Sequence, residues 1–132
     1  MRATFVDSGV IIAVACGTSD EVAAAWAILT DSDRELWTSP FVEMEVIPHA
    51  ERRVMVRELT VYREFFKSAR VYNDLGEIVK VAAGELRKTN LGLADALHLA
   101  AAHLAGVDEF VTTENINKPM YRNTLVKVVN FK

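Results

Sequence analysis

Apolar positions along this chain follow two rhythms. Ala3-Thr4-Phe5-Val6, residues 35–39, residues 69–72, Glu109-Phe110-Val111-Thr112 and residues 125–129 are short, partly β-branched runs, the signature of strands buried in a sheet. Between them lie longer stretches of helical character. Residues 10–15 follow the first strand directly. Ser19-Asp20-Glu21 offers a cap and early acids before a helix over 22–29, and Pro40 suits the first turn of a helix over 41–50, disturbed at Pro48. Residues 51–66 read as a charged amphipathic helix, and Leu75 to Lys88 as another. The clearest helix runs from Leu93 to Ala105, with Leu93, Leu97, Ala100, Ala101 and Leu104 on one face. Leu99 and Ala102 make its other side apolar too, which predicts burial nearly all round, and Gly106 is a stop signal. Strand and helix in alternation predict an α/β fold whose parallel sheet carries helices on both faces and turns every strand's carboxyl end to one edge.

Composition narrows the function. The 132 residues suit one domain, 1–132, and the six glycines and three prolines are too scattered to mark a linker. With 51% apolar and 25% charged residues the chain is not a disordered tail. Lys and Arg total 15 against 18 Asp and Glu, a net charge of −3. That excludes a binder that recognises nucleic acid by bulk positive charge, but not one that holds it through metal ions. Cys16 is the single cysteine, so neither an internal disulfide nor an all-cysteine zinc cage can form, and with no cationic neighbour it reads as a small core residue. Residues 10–16 have the look of a secretory signal core, but Asp7 interrupts it and Arg2 alone supplies the positive flank. No run reaches the ~18 apolar residues of a membrane span. A cytoplasmic protein with no membrane partner is expected.

Four acids carry the candidate chemistry. Asp7 stands at the end of the first apolar strand, where it either caps the next helix or faces the ligand crevice of an open sheet. Asp95 sits between Ala94 and Ala96 in the first turn of the most apolar helix. The helix dipole favours an acid there by only about 0.3–1 kcal/mol, whereas an unpaired buried carboxylate costs several. Glu45 follows the second strand, two residues from Glu43, and one of that pair can face the crevice while the other is solvated. Glu114 closes the step Thr112-Thr113-Glu114 at another strand end, and alone would be an ordinary loop acid. Converging on one edge, four carboxylates need a cation, and all-oxygen ligation suits Mg²⁺ or Mn²⁺. Such an ion supports hydrolysis of a phosphodiester.

Phe5-Val6-Asp7-Ser8-Gly9-Val10-Ile11-Ile12, Ser39 with Glu45, Leu93-Ala94-Asp95-Ala96-Leu97-His98-Leu99-Ala100 and Val111-Thr112-Thr113-Glu114 occur in this order along nearly the whole chain. The set resembles the PIN-domain ribonucleases. That resemblance implies a three-layer α/β/α sandwich around a parallel sheet of about four to five strands and a Mg²⁺- or Mn²⁺-dependent endoribonuclease. Asp7, Glu45, Asp95 and Glu114 would be the metal-site acids. It also implies a likeness to the VapC toxins, which form homodimers and pair with an antitoxin; other relatives process RNA without being toxins, and a weakened RNA- or protein-binding module is a further reading. Two positions depart from the family pattern: Glu114 replaces the usual Asp, and Gly9 stands where a polar residue is common. Ser8, Thr112 and Asn117 (or Asn115) are candidates to orient the acids or a phosphate. Arg52 and Arg53, with Arg57 beside them, and Lys118 and Arg122 are candidates for RNA contact, against the alternative of solvated surface charge. His98, one turn after Asp95, can bond to it, or is a core histidine. A phosphoaspartate hydrolase would need an acid at position 9, and no nucleotide-binding glycine motif is present.

Overall fold

The computed structural model describes residues 1–131. Its elements are β1 (Arg2–Val6), α1 (Ser8–Cys16), α2 (Ser19–Leu29), β2 (Arg34–Thr38), α3 (Pro40–Arg52), α4 (Val56–Ser68), β3 (Arg70–Val71), α5 (Leu75–Lys88), α6 (Leu93–Ala105), β4 (Glu109–Thr112), a 3₁₀ turn at Pro119–Arg122 and β5 (Val128–Asn130). All strand pairs are parallel, in the order β3-β2-β1-β4-β5. β1 is therefore central, and strand order reverses between β1 and β4. A crevice opens at such a reversal, outside the carboxyl ends of the strands. The architecture is the expected α/β sandwich around a five-stranded parallel sheet.

The sheet centre is fixed by apolar cross-strand contacts. Phe5 of β1 faces Phe110 of β4 in register, and the rings stack with centroids 5.4 Å apart and planes 8° from parallel. α1 packs on α2, α3 and α4, while α5 pairs with α6, which lies against β2 and β4. At the amino end of the sheet Glu109 is buried but compensated: Arg34 and Arg2 pair with it, and Thr4 Oγ1 donates to it at 3.0 Å. Glu85 is also buried and accepts from both the backbone N–H and the hydroxyl of Thr124, at 2.6 Å each.

Several boundaries differ from the sequence reading. The expected helix over 51–66 is two elements, because α3 runs on through Pro48 to Arg52 and the chain turns before α4 begins at Val56. The turn is a Schellman closure: Val54 N–H bonds to Glu51 O and Met55 N–H to Ala50 O, with Val54 at φ 54°. α2 is capped by Thr18, not Ser19, in a reciprocal capping box with Glu21. The last strand begins at Val128, since residues 123–126 are committed to bonds with the Asn123 side chain. Cys16, expected in the core, is exposed at the end of α1. α6 matches its expected bounds and ends at Gly106 with φ 73°, but it is not buried all round: Leu93 is 68% exposed. No helix is long and apolar enough to cross a membrane among the described residues.

Candidate metal centre

The candidate acids are held by different local routes. β1 ends at Val6, and Asp7, in extended conformation, caps α1: one of its carboxylate oxygens accepts from Ser8 N–H at 2.9 Å. The other accepts from Thr112 Oγ1 at 2.7 Å. The capping and crevice roles are thus compatible, one oxygen serving the helix and the other facing β4. Ser39 caps α3 after β2; both Glu43 and Glu45 on this helix are exposed, but Glu45 reaches Asp7 and His98. Thr112 Oγ1 also accepts from Glu114 N–H at 3.1 Å, so a single hydroxyl ties the ends of β1 and β4 together. Tyr121 Oη and Asn130 Nδ2 donate to the Glu114 carbonyl at 2.7 and 2.8 Å, anchoring the loop behind it.

Asp7, Glu45 and His98 each offer a ligand atom, all within 4.8 Å of one another. His98 bonds through Nε2 to Glu45 rather than to Asp95, and its buried Nδ1 has no partner. Asp95, one turn earlier on α6, is half-buried and senses the charges of Asp7, Glu114 and Glu45, which places all four acids in one electrostatic neighbourhood. Burial first, and the charge of Asp7 second, push the Asp95 carboxyl above its ordinary range. Burial also raises Asp7, against the opposing pull of His98 and the Thr112 bond. Glu45 moves the other way, held low by its hydrogen bond with His98. Among the described residues no Lys or Arg pairs with any of the four acids. The contrast with Glu109, which is buried with arginines beside it, is direct: at this end of the sheet His98 is the one basic side chain paired with the acids among the described residues. Mostly oxygen donors, only partly offset by one histidine, are a donor set that suits a hard divalent ion.

The remaining sequence candidates fall in several places. Ser8 lies at the site through its backbone N–H, which donates to Asp7. Gly9 lies against β4's end: a Cβ there would sit 2.3 Å from Thr113 Oγ1, which accounts for glycine at this position. Asn117 is exposed, its N–H given to Asn115 Oδ1 and its carbonyl accepting from Arg122 at 3.5 Å. Lys118 and Arg122 flank the 3₁₀ turn beyond Glu114, and Arg52 and Arg53 are exposed at the end of α3. Tyr121 and Asn130 were not expected near the site, and His98 was expected only as a partner of Asp95 or a core histidine. Only His98 carried a sequence signal, its i+3 spacing from Asp95.

Residues 4–117 match the family model of the PIN domain, and the chain belongs to that family. Among solved structures it is similar to VapBC2 from Rickettsia felis bound to a DNA fragment from the promoter, with TM-score 0.78, 10% identity, and 99% of this chain and 100% of that one covered. A toxin–antitoxin complex from Klebsiella pneumoniae gives TM-score 0.71 at 20% identity, covering 98% of each chain. VapC20 of Mycobacterium tuberculosis, a toxin that cleaves the sarcin–ricin loop, gives TM-score 0.65 at 17% identity, covering 81% of this chain and 86% of that one. At these identities the likeness is one of fold. Comparison with curated protein sequences finds no match.

Proposed function

We propose that this protein is a Mg²⁺- or Mn²⁺-dependent endoribonuclease and the toxin of a toxin–antitoxin pair. The reading rests on one observation above the others: Asp7 and Glu45 meet His98 beside the strand-order reversal, near enough to Asp95 for their charges and that of Glu114 to raise it, and among the described residues no Lys or Arg is paired with any of the four acids. Those four acids would hold the ion, singly or as a pair of ions. When bound, it neutralises the cluster and acts as a Lewis acid on a phosphodiester. Thr112 holds the Asp7 carboxylate in one orientation and sets the distance to Glu114. His98 orients Glu45. A carboxylate of the set would take the proton of the attacking water as its oxygen bonds to phosphorus and the P–O3′ bond breaks; the leaving 3′-oxygen, protonated from solvent, becomes the 3′-hydroxyl and the other fragment carries the 5′-phosphate. The toxin role is supported by the similarity to toxin–antitoxin structures. With it come a homodimer, a cognate antitoxin and action in the cytoplasm, by one domain spanning the chain.

The test is cleavage of single-stranded RNA by the purified chain. EDTA is expected to abolish it, Mn²⁺ to restore it, and Asp95→Asn to remove it while the fold stays intact by circular dichroism. Cleavage that persists in chelator, or in Asp95→Asn, overturns the reading. Co-purification of a small DNA-binding protein encoded beside this chain would identify the antitoxin; an RNA-processing nuclease would act without one.

A further inference from the structure

A second cleft, of about 400 Å³, is lined by Arg87, Lys88, Thr89, Asn90, Pro119 and Arg122. Its two walls are the turn from α5 into α6 and the 3₁₀ turn after β4. Both walls lead straight to the acids. The first runs through Leu91 and the cap Gly92 into the helical turn that bears Asp95. The second is tied back by Tyr121, whose hydroxyl donates to the Glu114 carbonyl. None of the six lining residues carries a carboxylate, and among the described residues Arg87, Lys88 and Arg122 enter no ion pair. The nearest acid on α5, Glu85, is buried and spent on Thr124. Arg122 gives one N–H to the Asn117 carbonyl and keeps its remaining donors.

In a chain of net charge −3, three unpaired cations around a concave polar surface, next to an anionic crevice, are an arrangement for a polyanion. A substrate with a phosphodiester backbone must approach four carboxylates that repel it. Cations on the flanking wall offset that repulsion and fix the strand's path without reading its bases. The hydroxyl of Thr89 is turned to the Glu85 carbonyl, so the donors that face solvent here are the cationic ones and the Asn90 amide. We propose that Arg87, Lys88 and Arg122 form a phosphate-binding subsite that holds the RNA backbone beside the bond presented to the acids. It rests on the nuclease reading above and names residues for the substrate's grip.

The experiment measures binding without cleavage: fluorescence anisotropy of a labelled single-stranded RNA with the full chain in EDTA, over about 50 to 200 mM salt. The triple variant Arg87→Gln/Lys88→Gln/Arg122→Gln is compared with Arg63→Gln/Lys67→Gln/Lys80→Gln, which removes as much charge elsewhere. Loss of three phosphate contacts is expected to flatten the slope of log affinity against log salt by about 2, and to weaken binding at least ten-fold. The control triple keeps the wild-type slope. A cleft variant with wild-type affinity and slope overturns the proposal. So does polyglutamate displacing RNA mole for mole from this cleft, which would assign it to an acidic protein. RNA bound through the cleft but never cut in Mn²⁺ would leave the subsite standing and remove the nuclease reading, so the two failures are distinct.

Discussion

Thr112 shows how much a single side chain decides at the residue scale. Its hydroxyl gives its proton to Asp7 and accepts the Glu114 N–H, so two acids from two strands share one oxygen. Thr112→Val keeps the shape and removes both bonds. Manganese affinity by calorimetry is expected to fall about 10–100-fold, as for other residues that orient metal ligands. Stability to urea should drop by about 1–3 kcal/mol, because the partly buried Glu114 N–H and the buried Asp7 oxygen lose their partner, and Thr112→Ser should restore both. Gly9 makes a second residue-scale case. Gly9→Ala brings a carbon to 2.3 Å from Thr113 Oγ1 and should destabilise despite alanine's better helix propensity. The pair Gly9→Ala/Thr113→Ala should recover that loss and expose the helical gain of about 1 kcal/mol in a double-mutant cycle. Asp7 and Asp95 stood out as candidates in the sequence because a carboxylate at a strand end, or amid alanines on an apolar helix, is costly without a partner, whereas Glu45 and Glu114 were singled out by the family resemblance. His98 could not be assigned that way: its neighbours Leu97, Leu99 and Ala100 describe a core position, and its partner Glu45 arrives from a different helix.

Among the elements, helix stops separate what was legible from what was not. α6 ends at Gly106, a residue that takes φ 73° without a Cβ penalty, and its bounds follow directly from the sequence. α3 ends by the same hydrogen-bond closure, but with Val54 in the left-handed position. A β-branched residue gives no stop signal, so the charged, periodic stretch on either side reads as one helix. That conformation costs a non-glycine residue roughly 1–2 kcal/mol. Val54 is 74% exposed, so its side chain contributes little packing in return. Val54→Gly is therefore expected to raise stability by about 1 kcal/mol in urea denaturation, with RNA cleavage unchanged. A loss of stability would show that Val54 restricts the unfolded chain more than it strains the native one. Pro48 misled in the opposite direction, because α3 continues past it for four residues to Arg52.

At the scale of the whole molecule, charge is distributed by pole. The amino end of the sheet pairs its buried acid with arginine; the carboxyl end gathers acids beside His98, with no Lys or Arg paired to them among the described residues. The fold therefore pays electrostatically for its site when no ion is present. Asp7 and Asp95 have folded-state pKa values raised above those of the unfolded chain, so in the interval between, the folded state binds more protons and stability falls as pH rises. Glu45, lowered, contributes in the opposite sense. In EDTA, the Tm advantage of Asp95→Asn over wild type should be small near about pH 4 and grow toward pH 7, to about 3 °C for roughly 1 kcal/mol, a figure discounted for the partial exposure of Asp95. Manganese at about 100 times its Kd should stabilise wild type by about 2.7 kcal/mol and Asp95→Asn far less. Equal Tm values for the two proteins across that range, with and without manganese, would contradict an uncompensated cluster.

Hydrophobic periodicity and the residues at strand and helix ends determined the class of fold, the helices Leu75–Lys88 and Leu93–Ala105 and the standing of Asp7 and Asp95 as candidates, because each is a local preference written within a few residues. Which of Glu43 and Glu45 enters the crevice, the bond from His98 to Glu45, the shared oxygen of Thr112 and the cationic cleft beside Asp95 were decided only by tertiary structure. These depend on how α3, α6 and β4 are brought against β1, and packing between segments far apart in the chain leaves no periodic trace along it.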